Sequence, residues 1–75
     1  MKAEEFQRIR EKLGLDREEF AEVFGLAGYK SVSNIENGIR NPSKLTIIFL
    51  RTLDAIPLQK AKDLIELMRR HGKIK

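Results

Sequence analysis

Large apolar residues recur every three or four positions along most of this chain and nowhere alternate with period two for long. That spacing predicts helices and no sheet. Five helical segments follow. The first runs from about Lys2 to Leu13, with Phe6, Ile9 and Leu13 on one face, Glu5, Arg8 and Lys12 elsewhere, and Gly14 placed to end it. The second runs from about Arg17 to Phe24. Asp16 stands ready to cap its first turn, and Glu19 follows three residues on, close to a capping box. Phe20, Val23 and Phe24 supply its buried face, Ala21 allows close helix contact, and Gly25 ends it.

The third segment runs from about Tyr29 to Asn37, and its only large aliphatics are Val32 and Ile35. Asn37-Gly38 is a helix stop, since both residues tolerate positive φ. The fourth runs from about Ser43 to Ala55, started by Pro42 and Ser43. Leu45, Ile48, Phe49, Leu50 and Leu53 cover most of its circumference, which predicts a central helix packed on all sides. The fifth runs from Pro57 to His71, with Gly72 as its stop. Gln59, Lys62, Asp63, Glu66, Arg69 and Arg70 fall on one half of its wheel. Leu58, Ala61, Leu64, Ile65, Leu67 and Met68 fall on the other, joined by Lys60 and His71.

The second and third segments are joined by Gly25-Leu26-Ala27-Gly28. A short glycine-containing turn between two short helices suits a helix-turn-helix, here about residues 17–37. In such a unit the second helix enters the DNA major groove, fixed by few inward residues and presenting polar groups outward. The third segment meets that demand. Opposite Val32 and Ile35 lie Lys30, Ser33, Asn34 and Asn37, with Tyr29 on the flank at the N-terminal end. Asparagine pairs with adenine in a bidentate way, lysine donates to guanine, and serine bonds to bases or phosphates. Taken alone, a polar outer face on one amphipathic helix is more often simply solvated. The preceding glycine turn, the helix's small size and the flanking basic residues favour DNA.

Size and charge narrow the picture further. The 75 residues suffice for one domain. A chain this small buries only ~60% of its unfolded surface, so its stability is expected to be marginal. It has no cysteine and one histidine, His71, which argues against disulfides and zinc sites. No apolar run approaches the ~20 residues that span a bilayer, and the start MKAEEFQRIR has no secretion core. A soluble cytoplasmic protein is expected. Net charge is +4, split as −2 over residues 1–22 (five basic, seven acidic) and +6 over residues 23–75 (ten basic, four acidic). A basic excess invites a polyanion, although many inert domains carry as much.

The stretch LGLDREEFAEVFG…SVSNIENGIRNPS resembles the Xre family, the Cro and phage-repressor class of helix-turn-helix regulators, over about residues 4–56. Ala21 matches the family's small residue in the first helix, Gly25 its turn glycine, and Val32 and Ile35 its buried aliphatics. Ile35-Glu36-Asn37-Gly38 and Pro42-Ser43 match its tail. The resemblance implies an all-α, five-helix lambda-repressor-like fold and a sequence-specific DNA-binding regulator, a repressor by preference. It places Arg17 on phosphate and beneath the recognition helix, and Tyr29, Lys30 and Asn34 on bases. Asn37, Arg40, Asn41 and Lys44 go to the DNA backbone, and Ser31 is assigned with them; Ser33 joins the base set from its place on the helix. The sequence departs from the pattern twice. It carries one extra turn residue at Ala27-Gly28, and it has Tyr29 where many relatives have glutamine or a small polar residue.

One recognition helix covers about half a turn of groove, so a homodimer is expected on a near-palindrome. The fifth segment offers an interface, with Leu64 and Leu67 toward the edge of its apolar half. The plainer alternative is that this edge is ordinary core. An adaptor or antitoxin of the same fold, holding a toxin partner, is the second functional reading. No segment beyond the five helices is evident for wrapping a toxin. Nothing points to a cofactor, a metal or a small-molecule site. An enzyme fits least: there is no phosphate-binding glycine loop and no HExxH spacing, and the adjacent pairs Glu4-Glu5 and Glu18-Glu19 read as solvated surface.

Overall fold

The computed structural model describes residues 1–72. Its helices are α1 (Ala3–Lys12), α2 (Arg17–Phe24), α3 (Tyr29–Glu36), α4 (Lys44–Ala55) and α5 (Leu58–His71), with no strand among the described residues. Several of their ends are set by the residues that the sequence offered for the purpose. Asp16 accepts from the Glu19 backbone N–H at 2.7 Å while the Glu19 carboxylate accepts from the Asp16 N–H at 3.1 Å, a complete capping box for α2. Ser43 caps α4 by accepting from the Thr46 N–H at 3.2 Å. Gly25 and Gly38 both sit in the left-handed region, at φ 70° and 76°, where a Cβ would be strained. Gly72 differs: it is right-handed, and it lies where a Cβ would come within 3.2 Å of the Met68 carbonyl and 3.4 Å of the Glu22 carbonyl. It lets α5 end close against α2.

The core is built mainly by α1, α2 and α3. Phe6, Ile9 and Leu13 come from α1 and its end, Phe20, Ala21 and Val23 from α2, and Val32 and Ile35 from α3, with Leu15 tucked beneath the α1–α2 loop. Leu50 and Leu53 of α4 and Ala61 and Ile65 of α5 close it. Phe6 meets Phe20 edge to face at 5.0 Å, Phe20 stacks on Phe24 at 4.2 Å, and Phe24 meets Phe49 edge to face at 6.5 Å. Such pairs add about 0.5–1.5 kcal/mol each beyond the area they bury.

Helix α4 corrects the expectation of a central, surrounded helix. Only Thr46, Leu50 and Leu53 are buried, while Leu45, Ile48 and Phe49 are between 41% and 62% exposed. A five-helix domain has too few helices to surround α4. α1 packs along one flank and α5 along the other, which leaves the outer arc bare. The α1 flank is tied by ion pairs: Arg8 and Lys12 converge on Asp54 at 3.1 and 2.8 Å, and Arg51 reaches Glu5 at 3.5 Å. Arg69 of α5 reaches Glu19 of α2 at 3.2 Å. Glu5 and Glu19 are therefore half-buried ion-pair members and not the purely solvated surface expected of them.

Candidate nucleic-acid interface

Helix α3 is seated by its inward residues. Val32 and Ile35 are buried against α1 and α2, and the helix starts at Tyr29 after Gly28 in an extended conformation. Helix α3 thus starts at the position read in the sequence. The outward side carries Tyr29 and Lys30, both exposed, with Ser33 and Asn34 half-buried. These four base-reader candidates share one face of one helix.

The far end of α3 is closed by a Schellman turn. The Gly38 N–H donates to the Ile35 carbonyl at 3.1 Å, and the Ile39 N–H to the Asn34 carbonyl at 2.8 Å. The Arg40 N–H donates to the same Asn34 carbonyl at 3.1 Å, which fixes Arg40 beside the end of α3. Ser31, Arg40 and Asn41 line one cleft of about 350 Å³ between the helix-turn-helix turn and the α3–α4 loop, with Leu26, Ile35 and Ser43. Asn37 is exposed at the helix C-cap, and Lys44 is exposed in the first turn of α4. The positive end of the α4 dipole adds to the lysine there. Among the described residues, Lys30, Arg40 and Lys44 take part in no salt bridge, so their charge is uncommitted.

Arg17 stands apart from that set. Its Nε donates to Glu36 Oε1 at 3.2 Å, and its side chain is half exposed. Glu36 is also gripped by Arg10, whose Nε donates to Oε2 at 2.6 Å and whose Nη2 donates to Oε1 at 3.2 Å; Arg10 Nη1 donates to the Leu15 carbonyl at 2.9 Å. The Arg10 and Glu36 side chains are only 9% and 2% exposed. This network ties α1, the α1–α2 loop, the start of α2 and the last turn of α3 into one unit. It locks α3 in place and holds Arg17 at the protein surface beside it. The sequence pattern does not mark Arg10 and Glu36 as a buried pair, because a charged residue on an amphipathic helix defaults to the wet face. The available signal was position: Arg10 adjoins Ile9, and Glu36 adjoins Ile35.

A family model described as helix-turn-helix, of the Cro and phage-repressor, Xre-like type, matches residues 6–60. The chain belongs to that family. Its match spans most of α1, all of α2, α3 and α4, and the start of α5, so the lambda-repressor-like all-α fold and the helix-turn-helix are those of a DNA-binding regulator. The family is one of regulators and typically not of enzymes. No curated protein and no solved structure matches the chain. No helix among the described residues is long and apolar enough to cross a membrane.

Proposed function

We propose that this helix-turn-helix protein is a homodimeric, sequence-specific transcriptional repressor, acting in the cytoplasm, that reads the major groove with α3. One observation carries the reading: four side chains suited to hydrogen bonding with bases or phosphates share the outward face of a helix locked from behind by Val32, Ile35 and the Arg10–Glu36 pair. Lys30 and Asn34 read bases, with Tyr29 and Ser33 beside them. Arg17, Ser31, Asn37, Arg40, Asn41 and Lys44 hold the sugar-phosphate backbone, which sets register and supplies salt-sensitive affinity. In the homodimer, Leu64 and Leu67 of α5, both exposed, lie at the contact between copies.

Selection from a random duplex pool tests this reading. Enrichment of a near-palindrome with half-sites one helical turn apart, ~34 Å, is the expected result. Failure to enrich any sequence, with a second protein co-purifying from the native host, would overturn it in favour of an adaptor or antitoxin.

A further inference from the structure

The chain has three asparagines, and only one is placed to lose its amide readily. Deamidation begins when the backbone nitrogen of the next residue attacks the asparagine side-chain carbonyl carbon. Asn41 is followed by Pro42, which has no N–H to give up. Asn34 is followed by Ile35, whose branched and buried side chain crowds the attack. Asn37 is followed by Gly38, which has no side chain to stand in the way. Both residues are exposed, and among the described residues the Asn37 side chain takes part in no hydrogen bond.

The backbone opposes the reaction that this dipeptide invites. With ψ of Asn37 at 3°, the Gly38 nitrogen is turned out of reach of the Asn37 side-chain carbon. The Gly38 N–H is also engaged, donating to the Ile35 carbonyl at 3.1 Å, and the Ile39 and Arg40 N–H groups pin the next two residues to the Asn34 carbonyl at 2.8 and 3.1 Å. Ring closure therefore requires the Schellman turn to open. Residues 37–41 are all exposed, so opening here costs far less than unfolding the domain.

We propose that Asn37 is a modification site: it deamidates through openings of this turn, and duplex DNA seated on the turn prevents it. The protection rests on the proposed function, in which Asn37 and Arg40 lie on the DNA backbone; the chemistry at Asn37 does not. Base takes the proton from the Gly38 nitrogen, that nitrogen bonds to Asn37 Cγ, and the Cγ–Nδ2 bond breaks as ammonia leaves with a proton from water. Water then adds to either carbonyl of the succinimide. The products are aspartate, and isoaspartate with the main chain running through the former side chain. Both act on the DNA face. A carboxylate at 37 adds a negative charge beside the phosphates and competes with them for Arg40, which takes part in no salt bridge among the described residues. Isoaspartate adds a methylene to the main chain and throws the Gly38, Ile39 and Arg40 N–H groups out of register with their carbonyls. Unbound copies thus lose affinity with age, and bound copies keep it.

Incubation of the full chain at mildly alkaline pH, followed by peptide mass mapping, tests the proposal. It is run on the chain alone, in denaturing urea, and with a duplex at ~100 times its dissociation constant. The native chain is expected to convert at Asn37 at least ~10-fold more slowly than in urea, because the turn must first open. The duplex should slow it at least ~10-fold again, since that excess suppresses opening by up to ~100-fold. Aged wild type and fresh Asn37→Asp are each expected to bind selected and random duplexes at least ~10-fold more weakly. Asn37→Ser, whatever its starting affinity, should not change with age. Equal rates with and without urea, no native conversion in the time that consumes the urea sample, conversion at Asn34 keeping pace, or a rate indifferent to DNA each overturn the proposal. So does aged wild type that binds like fresh protein. A chain that binds no duplex fails the proposed function and the protection with it, while the DNA-free incubations still decide the chemistry.

Discussion

Replacing Glu36 by glutamine removes one charge from the most deeply buried ionic contact of the fold. Arg10 and Glu36 are 9% and 2% exposed and meet at 2.6 Å, so water does little to screen the change. Glutamine retains one acceptor but places an amide N–H₂ where two guanidinium groups donate, and Arg10 stays in the interior without its counter-charge. Breaking a buried pair from one side costs about 3–5 kcal/mol. Arg17 still reaches water, and glutamine keeps the volume, so the lower end, about 3 kcal/mol, applies. At 0.05–0.15 kcal/mol per residue a chain of this length has only about 4–11 kcal/mol in total. The melting temperature should fall by roughly 12–24 °C. Urea unfolding followed by circular dichroism reads this, with Arg10→Met/Glu36→Leu as companion. The double variant removes both charges and should recover much of the loss. A loss below about 1 kcal/mol in Glu36→Gln, or a double variant worse than the sum of the singles, would refute the reasoning.

Three other outcomes are expected. Gly25→Ala should cost about 1 kcal/mol in a thermal melt, since φ 70° penalises a Cβ although no atom lies within 4 Å of it, whereas Gly28→Ala, in extended backbone, should stay within about 0.5 kcal/mol. The Arg8 and Lys12 hydrogen bonds hold the Asp54 carboxyl down to about 2 from its ordinary 3.8. The folded state therefore gains stability above pH 3.8 that is lost as pH falls toward 2, and Asp54→Asn should flatten melting temperature against pH in that window. Arg40→Ala should weaken binding to all duplexes alike and flatten the log–log salt dependence by roughly 0.9, as expected for one phosphate contact.

Much of the fold is legible in the sequence because its signals are local. Asp16 with Glu19, Ser43, Gly25 and Gly38 act within one turn of the helix ends they define, and both ends of α2, the end of α3 and the start of α4 follow from them. The turn Gly25 to Gly28 and the outward face of α3 are legible for the same reason: periodicity over eight residues suffices. Arg10 and Glu36 were not, since their burial depends on two helices meeting across 26 positions of chain. The misplacement of α4 has a different cause. Its pattern correctly reports two apolar faces, but a sequence does not say whether the second is covered by its own chain or by another. The structure answers for one face and leaves the other bare.

Sequence reading by α3 stands or falls with Asn34→Ala. Anisotropy titrations of wild type and variant on the selected duplex and on a random duplex, at one salt concentration, give four dissociation constants. A loss of ~1–3 kcal/mol, about 5- to 150-fold, is expected on the selected duplex and almost none on the random one. An equal loss on both, or none on either, would contradict it.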